Sequence, residues 1–434
     1  MTLLIWMQSK FAFAGRAALL AGAVAVLPAH GSAQGWNPFY GNSDSSTQKP
    51  KAQVEQPTAT TDPFVSATSV ASTYAAAERY RGIVREGGWP AIPRGPQLNP
   101  GASDARVPIL RARLAAEGYR VGRSGGQFDA RVQDALKEFQ KRHGLRASGL
   151  LNGETLAALN VPADVRAAQL TKAAQTLTDL RTQIADQPYV IVNIPSFELQ
   201  VIAREQMLLY SRVIVGKSAT PTPDIQASIR AVDLMPYWHV PTSIAQRAII
   251  PAIQKDPNYL VRERIRVFSA WGGTEVDPST VNWFAPQATR YVFRQDPGPQ
   301  NALGLIRIDM PNKHTVYMHD TPMKRLFDGP YRSQSAGCVR VQNVFALAGL
   351  LLGEDEQSVR RRLEPLMNAT TTTTLRLEQP VPVHFVYLTG WVAGEGPAQF
   401  RNDVYDKDTV SVDQVALSET TTDPWQTRVF DLSP

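Results

Sequence analysis

Cys338 is the only cysteine in this 434-residue chain; it stands nineteen residues after His319 and two before Arg340. The stretch that holds them, 314–341, reads HTVYMHDTPMKRLFDGPYRSQSAGCVRV. Its opening alternates as a strand does, with Val316, Met318 and Asp320 on one side and Tyr317 and His319 on the other. A polar loop with Gly329-Pro330 follows, then the small-residue turn Ser335-Ala336-Gly337. Val344, Leu347 and Leu351 then recur at helical spacing, so Cys338 is expected in a tight turn shortly before a helix.

That setting suits a nucleophile. A thiolate is favoured near a helix N-terminus and beside a cation, which Arg340 supplies. A histidine facing the thiol can take its proton. Gly337 permits close backbone approach, so the N–H groups of Gly337, Cys338 and Val339 are candidates for binding a developing oxyanion. The bland alternative is a small buried thiol beside a satisfied core histidine. A chain that spends no other cysteine, and frames this one with Ser-Ala-Gly and Val-Arg, argues for chemistry instead.

His319-Asp320-Thr321-Pro322 followed by Ser335-Ala336-Gly337-Cys338-Val339-Arg340 resembles the signature of L,D-transpeptidases, the cysteine enzymes that cross-link bacterial peptidoglycan. The His-Asp-Thr form is similar to that of the large periplasmic members with an added peptidoglycan-binding domain. Ser-Ala-Gly-Cys replaces the Ser-His-Gly-Cys of many smaller relatives, which leaves His319 as the only nearby base. FDARVQDALKEFQKRHGLRASGLLNGETLAALN resembles the peptidoglycan-binding domain found beside many wall enzymes.

The elements that must position these residues follow from the rest of the chain. Residues 1–33 read as a cleaved secretory signal: Lys10 and Arg16, an apolar run over 17–27, and the small-residue site Gly31-Ser32-Ala33. Residues 34–72, rich in Ser, Thr, Gln, Pro and Asn, read as a flexible linker. Residues 73–162 are helical and contain the peptidoglycan-binding-like domain over about 104–160. Asp104 and Asp129 are expected caps, and Val132, Ala135, Leu136 and Phe139 form an apolar face. Residues 163–187 read as a polar helical connector. The pattern then turns to strands, and 188–408 is assigned to the catalytic domain, with 409–434 a loose tail. Residues 238–284 interrupt the strands as a helical, aromatic insertion, which the resemblance implies is a lid over the site. The fold class expected is α+β: a small all-helical domain plus a mainly β catalytic domain.

Net charge is +6, and Lys10 and Arg16 supply two of it. So weak an excess does not indicate nucleic acid and is compatible with an anionic cell wall. The lone thiol cannot form an internal disulfide, and the six histidines show no ligand-like clustering, so no metal or cofactor is expected. His143 reads as a helix-end residue and His384 as a sheet residue.

The resemblance implies an acyltransferase. The Cys338 thiolate attacks the carbonyl between the third and fourth residues of a donor stem peptide, D-alanine leaves, and a thioester remains. The side-chain amine of a diaminopimelate on an acceptor stem then forms a 3→3 cross-link, with His319 as base and acid throughout. Tyr317, Arg340, Ser335 and Thr321 are candidate substrate contacts; Arg340 is either a carboxylate contact or a tie for the catalytic loop. Asp320 should face away from the site, leaving a backbone carbonyl to orient His319. Rival readings are hydrolysis of the same thioester, as an L,D-carboxypeptidase or amidase, and a non-catalytic wall-binding scaffold. The resemblance further implies acylation of Cys338 by carbapenems, the signal implies a periplasmic location, and the helical domain is expected either to bind glycan strands or to serve only as a scaffold. Oligomeric state is left open.

Overall fold

The computed structural model describes residues 62–122, 125–184, 187–368 and 371–408. The expected signal, the linker up to residue 61 and the tail lie outside these residues. The rest of the expected linker is not a linker. Phe64 and Val65 are buried, and the Phe64 N–H donates to Gln200 at 2.8 Å. Ser66 caps helix α1 (Ala67–Arg85) by accepting from the Ser69 N–H. Two apolar residues at the end of a polar stretch are enough to dock it.

The helical domain forms as its apolar spacing requires. Helices α2 (Arg106–Ala116), α3 (Ala130–Arg142) and α4 (Gly153–Leu159) bury Val107, Leu110, Leu114, Val132, Leu136, Phe139 and Leu159 together. Asp129 caps α3 through the Val132 N–H, and Asn152 caps α4 through the Thr155 N–H. The polar connector is instead a packed helix, α5 (Ala163–Gln183), lying along α1. Leu170, Ala173, Ala174, Leu177 and Leu180 form its buried face. Alanines supply part of that face, and their short side chains make it easy to overlook in a sequence.

Strands β1 (Tyr189–Asn193) and β2 (Glu198–Ala203) form a hairpin, followed by β3 (Gln206–Gly216) and β4 (Ile225–Leu234). The insertion comes next. It contains a helical run over Thr242–Ile244, Ala245–Ile249 and α6 (Ile250–Lys255), then α7 (Tyr259–Arg262). It also contains its own antiparallel sheet, built from β5 (Trp238–His239), β6 (Ile265–Phe268), β7 (Glu275–Val276) and β8 (Val292–Gln295). The helical insertion expected over 238–284 therefore also carries strands and extends to Gln295. The segment Tyr291–Arg294 pairs within the insertion, because β8 finds β5 and β6 as partners.

The chain re-enters the main sheet with β9 (Ile306–Asp309), β10 (Met318–His319), β11 (Ser333–Ser335) and β12 (Val339–Val341). Helices α8 (Val344–Leu352) and α9 (Glu356–Leu363) pack next to each other before the long strand β13 (Thr373–Val386). The main sheet runs β11-β3-β12-β10-β9-β4-β13-β1-β2, and β3 also pairs with β2, so the succession closes on itself. Val192, Leu199, Val213, Val232, Ile308, Met318, Val339 and Val383 fill one face against Val344 and Leu347 of α8. Each such side chain contributes roughly 1.5–3 kcal/mol on burial. A short pair, β14 (Gly390–Trp391) and β15 (Gln399–Phe400), ends the described fold, and Trp391 meets Phe64 edge-on.

Candidate active site

β10 is two residues long, and its neighbours fix its side chains. It pairs parallel with β12, Met318 opposite Val339 and His319 opposite Arg340. It pairs antiparallel with β9, Met318 opposite Ile308 and His319 opposite Arg307. Met318 is fully buried in the main core, so Tyr317 and His319 face the other side. The Val339 N–H donates to the Tyr317 carbonyl at 3.1 Å, which brings Cys338 alongside Tyr317. Cys338, Tyr317, His319 and Arg340 thus gather on neighbouring strands. The Tyr317 side chain favours the Cys338 thiolate, and the Trp238 side chain, from the insertion, acts in turn on the Tyr317 hydroxyl. The Tyr317 and His319 rings meet edge to face at 5.7 Å.

His319 is buried, and its Nδ1 donates to the Asp320 backbone carbonyl at 2.5 Å. A carbonyl only accepts, so Nδ1 carries the hydrogen and Nε2 holds the lone pair. Burial, helped by the Arg340 charge, presses the imidazole down to about 3, against the pull of the Asp320 and Leu303 carbonyls. Burial also raises the Cys338 thiol above its ordinary value; hydrogen bonds from Tyr317 and the charges of Arg340 and Arg307 oppose it. Both shifts favour a neutral thiol beside a neutral imidazole at rest. The arrangement suits proton transfer during attack rather than a preformed ion pair.

The turn before Cys338 is held rigidly. The Ser335 hydroxyl donates to the Cys338 carbonyl at 2.6 Å and accepts from the Gly337 N–H at 3.1 Å. The Thr222 hydroxyl donates to the Gly337 carbonyl at 2.8 Å and accepts from the Gly216 N–H at 2.8 Å. Gly337 adopts φ 118°, a conformation few side chains tolerate.

Several expectations need correction here. The N–H groups of Gly337 and Val339 are spent on Ser335 and Tyr317, so of the three expected oxyanion donors only that of Cys338 is untouched by these two bonds. Ser335 braces the loop rather than reaching outward. Thr321 is fully buried and accepts from the Met323 N–H at 3.3 Å, the role of a turn residue rather than a substrate contact. The helix after the turn starts at Val344, with β12 intervening, so its N-terminus does not serve the thiol. Asp320 does turn away: its side chain accepts from the Leu305 N–H at 3.0 Å and pairs with Lys324. Outside the site, His143 is indeed at a helix end, where it stacks on Phe139, and His384 lies within β13.

Two groups near the site were not anticipated. One is the Thr220-Pro221-Thr222 segment, which reads only as a loop. The other is Arg307, whose place opposite His319 depends on the pairing of β9 with β10. Its alternation in Ile306-Arg307-Ile308-Asp309 marks an outward-facing cation and no more.

Residues 187–377 match the family model of the L,D-transpeptidase catalytic domain, and residues 103–159 match one described as "Putative peptidoglycan binding domain". A relative from Haemophilus influenzae, named "Putative L,D-transpeptidase", is 32% identical over 204 residues, which are 47% of this chain and 41% of that protein. The match thus spans about two-fifths of the relative's length. Among solved structures, an L,D-transpeptidase from Stackebrandtia nassauensis is 13% identical, covering 67% of this chain and 94% of its own, with a TM-score of 0.25. One from Mycobacterium smegmatis is 11% identical, covering 46% of this chain and 58% of its own, at 0.23. Superpositions that weak carry no weight for the assignment, which rests on the two domain matches.

Proposed function

We propose, from the match of residues 187–377 to the L,D-transpeptidase catalytic-domain model and of residues 103–159 to the peptidoglycan-binding model, that this chain joins peptidoglycan stem peptides by 3→3 cross-links through a Cys338 thioester. The observation that carries the reading is the grouping of Cys338 with Tyr317 and with His319, whose lone-pair nitrogen is set by the Asp320 carbonyl. In this scheme Nε2 of His319 accepts the thiol proton as sulfur attacks the donor carbonyl. The proton passes to the departing D-alanine amine as the C–N bond breaks, leaving the thioester. The acceptor diaminopimelate amine then attacks, gives a proton to His319, and expels the sulfur as the new amide forms. The Cys338 N–H is placed in the oxyanion role.

The charges around the site favour an acidic substrate. Lys217 is drawn below its ordinary pKa by burial and by Arg340 and Arg247, so cations from β12 and the insertion lie near one another. Carboxylates on stem peptides would complement them. The same reading places the protein in the periplasm, against the wall, and makes Cys338 a target for carbapenems, whose strained ring stands in for the acyl donor.

The test is to incubate the protein and Cys338→Ala with disaccharide-tetrapeptides and sequence the products by tandem mass spectrometry. Dimers joined 3→3 with loss of D-alanine, absent from the variant, are expected. Tripeptide monomers alone would replace transfer by hydrolysis. Wall binding unaffected by the substitution, with no product from either protein, would favour a scaffold. Intact mass after carbapenem treatment should rise by one adduct in the native chain and not in Cys338→Ala.

A further inference from the structure

One rung of hydrogen-bonded neighbours crosses the main sheet at the height of His319. Thr374 on β13 stands opposite Asp233 on β4, and Asp233 opposite Arg307 on β9. Arg307 stands opposite His319 on β10, and His319 opposite Arg340 on β12. The two arginines therefore bracket the imidazole strand from both sides. Arg307 is held from β4 and β9.

Asp233 is buried. One of its oxygens accepts from Nε and Nη2 of Arg307, each at 2.7 Å. The other accepts from the Thr374 hydroxyl at 2.6 Å. Asp309 adds a looser contact at 3.5 Å. A guanidinium fixed along one edge cannot swing away, as a lysine ammonium could. Its carbon lies 5.6 Å from the centre of the Tyr317 ring, within reach of a cation–π attraction. Tyr317 flanks Cys338, the Val339 N–H donating to its carbonyl at 3.1 Å, and its side chain favours the thiolate. A fixed positive charge beside a phenol strengthens it as a donor, and negative charge gathering on sulfur is favoured in turn.

We infer that Arg307, clamped by Asp233 and Thr374, is a positioning residue that acts through Tyr317 to stabilise negative charge on Cys338. It is the counterpart, on the β9 side, of Arg340 on the β12 side. The need for it follows from the buried imidazole: a base that stays neutral at rest offers the developing thiolate no standing cation. The inference rests on the reading of Cys338 as the nucleophile. It adds a residue that the motif around Cys338 does not contain.

The rate of Cys338 alkylation by iodoacetamide, followed against pH, tests this without any peptidoglycan. The single cysteine makes the readout unambiguous. Arg307→Gln should raise the midpoint by about half to one pH unit, so that alkylation below the midpoint is roughly three- to tenfold slower. The difference should shrink in high salt, because Arg307 is partly exposed. In a Tyr317→Phe background the same substitution should have a clearly smaller effect, since the path through the phenol is gone and only the direct charge of Arg307 on the sulfur remains. Arg307→Lys, which keeps the charge but loses the flat edge, should move the midpoint by a fraction of the Gln shift. A Gln profile that overlays the native one, with circular dichroism and melting unchanged, overturns the inference. If the Gln variant does not fold, an unshifted Lys profile overturns it. A full additive shift in the Tyr317→Phe background would overturn the route through Tyr317. Failure of the native protein to cross-link stem peptides would refute the proposed reaction and leave these profiles readable.

Discussion

At the scale of single residues, burial sets the chemistry. His319 is 5% exposed, and its imidazole is pressed to about 3 against an ordinary value of 6.5. The unfolded chain therefore binds a proton at mildly acid pH that the folded chain refuses. Stability from this group is fully present above pH 6.5 and is lost as pH falls toward 3. Between pH 7 and pH 4.5 the loss attributable to His319 is roughly 2–3 kcal/mol. Urea unfolding at the two values should show it, and His319→Gln should flatten the decline while abolishing turnover. His143, His239 and His384 are likewise depressed by burial, so part of the acid sensitivity will survive that substitution.

At the scale of elements, the turn that carries Cys338 depends on a loop more than a hundred residues earlier. Thr222 satisfies the Gly337 carbonyl and the Gly216 N–H together, and all three residues are buried. Thr222→Val keeps the shape and removes both bonds. It should destabilise the fold by about 1–3 kcal/mol for each group left unpaired. Turnover should fall further than stability alone explains, because the turn sets the sulfur position. Gly337→Ala tests a different cost. A methyl group there would have room, its nearest neighbours being the Thr220 and Pro221 carbonyls at 3.8 and 3.9 Å, but φ 118° would strain it. A loss of roughly 1–3 kcal/mol in denaturant unfolding is expected, with kcat reduced and KM little changed.

At the scale of the molecule, the helical domain is fastened to the catalytic domain rather than tethered to it. His143 stacks between Phe139 and Phe400, with ring centres 3.7 and 5.3 Å away. Arg142 donates to the Ala398 carbonyl at 3.0 Å, and Arg401 returns a bond to the Arg142 carbonyl at 3.1 Å. Tyr80 of α1 donates to Glu117 at 2.7 Å, and Glu117 pairs with the fully buried Arg113 at 3.0 Å. Phe400 touches both Tyr80 and His143 and is itself fully buried. Phe400→Ala should cost about 3–5 kcal/mol. In scanning calorimetry it should also split one cooperative transition into two, as the domains lose their common contact.

Local chemistry made much of this protein legible in advance. The α3 cap at Asp129, the β1–β2 hairpin and the alternation around His319 depend on residues close in sequence, and the sequence contains them. So does the orientation of Asp320, which follows from the period of two along a strand. The insertion was misjudged because β6 and β8 are four residues each, and short strands declare themselves only through their partners. The α5 face was missed because alanines count for little in apolar patterns until something packs on them. The donors in the catalytic turn and the rung that places Arg307 beside Tyr317 depend on strand registers between segments far apart in the chain. A sequence by itself settles which residues can do chemistry and which local shapes they take; which backbone N–H is already spent, and which distant cation stands across from His319, are decided only when the strands pair.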